Sequence, residues 1–356
     1  MPIIWTVVIL GLLIFVHEWG HFLAARLCRV SVKTFSLGFG PKLIRKRFGE
    51  TEYAVSAFPL GGYVKLLGES IGEYVPEEER YHAFLYQPLL KRAFIVLAGP
   101  LFNILFALVT FVLIFGIKGK PILLPKVGAV QPHSPAAKAG LKKGDVIIAV
   151  NKMPIESWDE LAQGIRQSKG HLNLTIKRNG KVFFVTVMPK VERLKTILGD
   201  IVEHPVIGIV AAGEIKIRHL KTQKAVLEGV KQTWSTAKLT LIAIKNLILG
   251  KISLKMLAGP VGIVQLTTQQ AKAGIAALFA FAALLSINLG IINLFPIPIL
   301  DGGHLFLFAI EAVRRRPLSP KTVEITNKVG IAILAFLMIM VMYNDILRII
   351  KNTPLP

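Results

Sequence analysis

The stretch Val16-His17-Glu18-Trp19-Gly20-His21 lies inside an apolar run from Ile3 to Ala25, and that setting limits what the chain can be. On a helix, positions i and i+4 share one face, about 40° apart. His17 and His21 can therefore direct two imidazole nitrogens at a single metal ion, and Glu18 can reach a water on that ion. Zinc suits such a site, since two imidazoles and one carboxylate fill three tetrahedral positions and leave the fourth to water. That water is acidic enough to deliver hydroxide near neutral pH, with Glu18 taking its proton and passing it to a leaving amine. This is the chemistry of peptide-bond hydrolysis. The competing reading is a polar patch on an ordinary helix. It is expensive here, because a charged side chain at bilayer depth costs roughly 2.5 to 3.5 kcal/mol on insertion scales.

Composition agrees with a membrane setting, with 53% hydrophobic residues and a mean hydropathy of +0.57. Runs from Ile3 to Ala25, Ala93 to Gly116, Ile275 to Leu300 and roughly Val329 to Leu347 approach or exceed the about 20 residues that cross a bilayer. The first run has no basic residue ahead of it and carries the ionisable motif, so it reads as a retained helix and not a signal peptide. The expected fold class is a polytopic α-helical membrane protein of about four transmembrane helices, with a membrane-associated β-hairpin region and an inserted α/β domain.

The 43 Lys and Arg against 21 Asp and Glu give a formal charge of +22. In a membrane protein this points to anionic lipid surfaces and not to nucleic acid, which is not expected as a partner. Basic residues cluster around Arg26, Arg29, Arg45 to Arg47, Lys91 and Arg92, and again at Arg314 to Arg316. The positive-inside rule places both groups in the cytoplasm and the segment 117–274 outside. The single cysteine, Cys28, excludes an intramolecular disulfide.

The expected order is a first transmembrane helix with the His-Glu motif (1–27), a cytoplasmic-side hairpin or re-entrant region (28–91) and a second helix (92–117). An α/β domain (125–192) and a linker with a basic amphipathic surface helix (193–273) follow. A third, broken helix (274–312), a cytoplasmic link (313–327) and a fourth helix (328–350) complete the chain. Between Phe35 and Leu66, β-forming residues punctuated by Gly and Pro read as hairpins, one edge of which could hold an extended substrate by strand addition. The acidic stretch from Glu69 to Arg80 reads as a surface loop. In the second helix Asn103 is the only amide, buried against a partner helix and a candidate, with Asn293, for positioning a substrate.

Within 125–192, the signature from Ser134-Pro135-Ala136 through Gly140-Leu141 to Gly144-Asp145 resembles a PDZ domain, which implies a groove that takes peptide termini or strands by β-augmentation. Lys224, Lys231, Lys238 and Lys245 recur every seven residues, as on an amphipathic helix at a membrane surface. The third span ends in Asn293-Leu294-Phe295-Pro296-Ile297-Pro298-Ile299-Leu300-Asp301-Gly302-Gly303-His304. Two prolines oblige the helix to unwind, and unwound backbone at membrane depth is tolerated where it lines a protein cavity. Asp301 is then a carboxylate of the kind the first span lacks. His304 should fall near the basic link and be solvated. Asn288 and Asn293 can donate to a substrate carbonyl or developing oxyanion, and helix packing is an equal reading for Asn288.

Taken together, these motifs resemble the site-2 protease family, in particular its bacterial regulator-of-sigma-E protease type. The resemblance implies His17, His21 and Asp301 as Zn2+ ligands, Glu18 as general base and Asn293 as substrate-positioning. It further implies a multi-pass protein of the bacterial inner membrane, with the active site towards the cytoplasm and the PDZ-like domain outside. Substrates would be single-span membrane proteins, typically anti-sigma factors, or spent signal peptides. Many proteins of this type carry tandem PDZ domains, whereas this chain has room for one. A metal transporter and a catalytically silent scaffold are the rival readings. No inverted repeat supports the first, and Glu18 would be idle in the second.

Overall fold

The computed structural model describes residues 2–351 except 71, 169, 197 and 198. Along the chain run α1 (Pro2–Leu27), β1 (Val32–Phe48), β2 (Thr51–Leu66), α2 (Leu89–Ile117), β3 (Lys120–Leu123), β4 (Val127–Val130) and α3 (Pro135–Lys138). Next come β5 (Val146–Val150), β6 (Met153–Pro154), α4 (Trp158–Gln167), β7 (Leu172–Arg178), β8 (Lys181–Val187), β9 (Lys190–Lys195) and β10 (Ile201–Val206). The chain closes with β11 (Ile209–Ala211), β12 (Ile215–Arg218), α5 (Thr222–Ile248), α6 (Pro260–Ala273), α7 (Ile275–Asn293), α8 (Asp301–Arg314) and α9 (Pro320–Ile350). Two compact units emerge, one of Met1–Leu113, Leu227–Ile244 and Ser253–Pro356, the other of Ile114–Val226 and Lys245–Ile252.

Among the described residues, α1 from Ile3, α2, α7 and α9 are long and apolar enough to cross a membrane. The protein is a polytopic helical membrane protein, and much of its apolar surface faces outward, as lipid contact requires. In α1, Ile9 and Leu13 pack with Leu278 and Ala282 of α7. Lower on α1 an aromatic wedge takes over. Trp19 stacks on Phe15 at 5.6 Å and Phe22 at 5.1 Å between ring centroids, and meets the edge of Phe35 in β1 at 5.9 Å. Such pairs add about 0.5–1.5 kcal/mol each beyond area burial.

β1 and β2 form more than a simple hairpin. Ser36 and Leu37 pair on one side with Ala54 and Val55 and on the other with Tyr63 and Gly62, while Lys42–Phe48 pairs with Thr51–Ser56. The hairpin is folded back on itself, so the early part of β1 is central and residues 62–66 form an edge.

The second unit is built on the antiparallel order β6-β5-β7-β8. Its core includes Ile147, Leu161, Leu172, Leu174 and Ile176. α4 starts where Ser157 and Glu160 close a capping box, and it buries Leu161 and Ile165 at i and i+4. The unit takes in more chain than the expected 125–192. β11 pairs with β4, β12 pairs with β3, and Ile207 belongs to the core, so part of the expected linker is domain structure.

α5 forms where the lysine repeat requires a helix. Within the first unit its inward face is small and polar: Gly229 lies against Val112 of α2, and the Thr240 hydroxyl donates to Asn288 Oδ1 of α7 at 2.8 Å. Asn288 thus serves helix packing. Val230, Trp234 and Leu241 remain exposed.

In the second unit the buried Asp145 carboxylate accepts two bonds from Arg178, at 2.6 and 2.7 Å, and one from the Lys142 N–H at 2.8 Å. Burial pushes this carboxyl up, but the Arg178 and Lys142 bonds outweigh it and hold it below the usual aspartate range. Because the folded-state value is depressed, the contribution to stability is complete above the ordinary aspartate value of about 3.9 and is lost as the pH falls through the folded value. Asp145→Asn should therefore melt below wild type at neutral pH, and the gap should close as the pH drops below about 4. Thermal unfolding of both proteins between pH 7 and pH 3 checks this.

Candidate active site

α1 puts His17 and His21 on one face, with their Nε2 atoms 3.2 Å apart. Asp301 meets both, Oδ2 at 3.1 Å from His17 Nε2 and Oδ1 at 3.4 Å from His21 Nε2. A tetrahedral ion with zinc-length bonds of about 2.0–2.2 Å has ligand-to-ligand edges of about 3.3–3.6 Å, so this donor set fits zinc. Two imidazole nitrogens and a carboxylate crowded together also lack a physical reason to stay so close unless a cation or shared protons lie between them.

Each histidine is braced from behind. His21 Nδ1 donates to the backbone carbonyl of Ile95 in α2 at 2.9 Å, which leaves the Nε2 lone pair aimed at the cluster. His17 Nδ1 lies 3.2 Å from the Asn103 side-chain amide. α1 approaches α2 closely only because of two glycines. A Cβ on Gly20 would lie 2.5 Å from the Ala98 carbonyl oxygen, and one on Gly99 would lie 2.2 Å from His21 Nε2.

Asp301 arrives through the break expected from the prolines. α7 ends at Asn293, a run of turns follows, and α8 opens with Asp301 as its first residue. Its carboxylate sits at a helix N-terminus, where the backbone dipole favours negative charge. Within the break Ile299 has φ +84°, a left-handed conformation that costs a β-branched residue about 1–3 kcal/mol and must be held by its surroundings.

A cavity of about 870 Å³ opens on the cluster, lined among others by His17, Glu18, His21, Asn293 and Asp301. Tyr63 and Val64 of the β2 edge line it as well. A Cβ on Gly62 would touch Glu18 Cγ at 3.1 Å, so the glutamate lies against the 62–66 edge. Asn293 Nδ2 comes within 3.4 Å of His17 Nε2.

The structure thus gathers His17, Glu18, His21, Asn293 and Asp301 in one place. Asn103 is fully buried, as expected, and its amide lies against His17. His304 lines the cavity and is half-buried, not solvated, because it lies one turn after Asp301 on the same side of α8. Glu69, read as part of a surface loop, also lines the cavity. Arg92 and Glu311, paired at 2.9 Å, do too, and no sequence pattern links residues so far apart.

Residues 5–337 match the model of peptidase family M50. The chain belongs to this family, the site-2 proteases. Among its relatives is the zinc metalloprotease RasP of Geobacillus kaustophilus, 33% identical and aligned over 97% of both chains. A protein of Rhizobium meliloti provisionally named a zinc metalloprotease is 36% identical over 95% of this chain and 94% of its own length. A Campylobacter jejuni protein of the same provisional name is 37% identical over 97% and 93%.

For this site-2 protease, Gly99→Ala should displace the His21 ring and weaken metal binding by about 10–100-fold, the usual cost of disturbing the shell behind a ligand. Gly11→Ala, on the helix that carries His21 and with nothing within 4 Å of the added methyl, should leave binding unchanged. Zinc retention by the two purified variants tests the comparison.

Proposed function

We propose that this chain is an intramembrane zinc metalloendopeptidase that cuts single-span membrane proteins inside their membrane segments. The observation that carries the reading is the convergence of His17, His21 and Asp301 in a membrane unit, with Glu18 on the same cavity. Membership of a peptidase family and relatives named zinc metalloproteases support the class of chemistry and the metal.

His17, His21 and Asp301 would hold the ion. When bound, zinc would supply Lewis acidity and would lower the pKa of a water so that hydroxide is available near neutral pH. Glu18 takes the proton from that water and delivers it to the departing amine. Asn293 donates its amide to the peptide and keeps the carbonyl in line. A helical substrate hides its carbonyls in its own hydrogen bonds and has to unwind first. The 62–66 edge beside Glu18 offers backbone partners to the extended segment, and so repays part of the cost of unwinding.

The substrates we favour are anti-sigma-factor-type proteins and remnant signal peptides in the bacterial inner membrane, cut towards the cytoplasmic side. The basic flanks at Arg26 to Arg47 and Arg314 to Arg316 support that orientation. The second unit acts as a single PDZ domain outside the membrane that binds peptide termini or strands of such substrates. Its helix-and-sheet order supports this, as does its capped α4 packed on a shared core.

Glu18→Gln should retain zinc and lose about 100- to 10,000-fold in cleavage of a model single-span substrate in detergent, the range for a general base. Equal cleavage by both proteins at matched zinc content would sink the assignment.

A further inference from the structure

Asn103 carries one atom with no partner and one contact that matters. Its Oδ1 is buried and unbonded, while its Nδ2 lies 3.2 Å from His17 Nδ1. An amide donating to Nδ1 requires the His17 proton on Nε2, the atom that faces His21 and Asp301. In that tautomer Nε2 cannot bind a metal. Turning the amide over puts Oδ1 where Nδ2 stands, and it then accepts from an Nδ1–H of His17. The other end of the amide bonds to nothing among the described residues, so no partner there holds either orientation. Only the state of His17 selects between them.

We propose that Asn103 is the positioning residue for His17: it accepts the Nδ1 proton and so holds the Nε2 lone pair towards the ion. The inference rests on the reading of His17 as a ligand. It replaces a substrate-positioning role with an orienting one that acts through His17. The rest of the residue is fixed for the task. Its backbone carbonyl accepts from the Ser286 hydroxyl of α7 at 2.8 Å, and a Cβ on Gly290 would stand 3.3 Å from its own Cβ. The Asn103 backbone is held by α7, and its amide has only the imidazole to answer to. His21 has the same arrangement in a fixed form, its Nδ1 proton taken by the Ile95 carbonyl.

The discriminating substitution is Asn103→Asp, which can accept a proton from Nδ1 but cannot donate. Full-length protein in detergent is titrated with zinc against a competing chelator, alongside Asn103→Leu and His17→Ala. Co2+ absorption serves as a second readout of ligand geometry. Asn103→Asp should bind zinc at least as tightly as wild type with an unchanged Co2+ spectrum, and Asn103→Leu should bind about 10–100-fold more weakly. His17→Ala should lose more than either. Wild-type affinity in Asn103→Leu, or a loss in Asn103→Asp, overturns the proposal while leaving His17 a ligand. Should Asn103→Leu fail to fold in a thermal melt, Asn103→Asp decides alone. Wild-type affinity in His17→Ala overturns the ligand reading itself, a separate result.

Discussion

Two imidazole nitrogens 3.2 Å apart, with one carboxylate against both, form an arrangement that only positive charge between them can hold at membrane depth. Everything around the cluster keeps its parts in reach of one another. Rotation of α1 is resisted because Phe15, Trp19 and Phe22 all pack on Phe35 of β1, on the side away from the histidines. The helix cannot drift from α2 without losing the Gly20 and Gly99 contacts. Asp301 cannot retreat either, because it opens a helix whose start is fixed by the turns after Asn293.

The break between α7 and α8 solves a geometric problem. An unbroken third span would point its side chains outward in a spiral and leave a carboxylate at whatever azimuth the pitch gave it. Pro296 and Pro298 lack the N–H groups that would continue the ladder, and the turns Leu294 N to Ile291 O and Leu300 N to Ile297 O take up the slack. The new helix then begins where its first residue faces α1. Asp301 also gains the positive end of α8, which an interior helical position would deny it.

Much of this was legible in the sequence, and the rest was not for identifiable reasons. His17, Glu18 and His21 are adjacent on one helix, so their convergence follows from the helical repeat alone. Asp301 could be inferred because two prolines force a break before it. The brace behind His21 was invisible, since a backbone carbonyl at Ile95 leaves no mark on residue type. The contact between Asn103 and His17 was not legible either, because a lone amide in an apolar helix has no sequence partner to reveal its direction. The sheet after α1 reads as a hairpin, yet the double pairing of Ser36 and Leu37 depends on which segment returns to which side, and alternation is blind to that. β10 to β12 and the end of β9 fall in the expected linker because exposed Ile201 and Ile215 alternate with charge and form no recognisable core pattern. Pairing with β4 and β3 places β11 and β12, while β9 and β10 pair with each other.

Ile95, Gly99 and Asn103 lie four residues apart on α2, one stripe facing α1. Along that stripe each position does a different job: a carbonyl orients His21, a missing side chain makes room for its ring, and an amide meets His17. Such a stripe explains why a helix with no ligand of its own is as constrained as the helix that carries two. The metal-facing geometry on α1 is set by α2, so changes there act on the ligands before they act on packing. At Asn103 the two functions are separable within one residue. The main chain joins α2 to α7 through Ser286, and only the side chain addresses the imidazole. Replacing the amide while leaving the backbone contact in place therefore alters the chemistry of His17 without dismantling the helix pair that holds it.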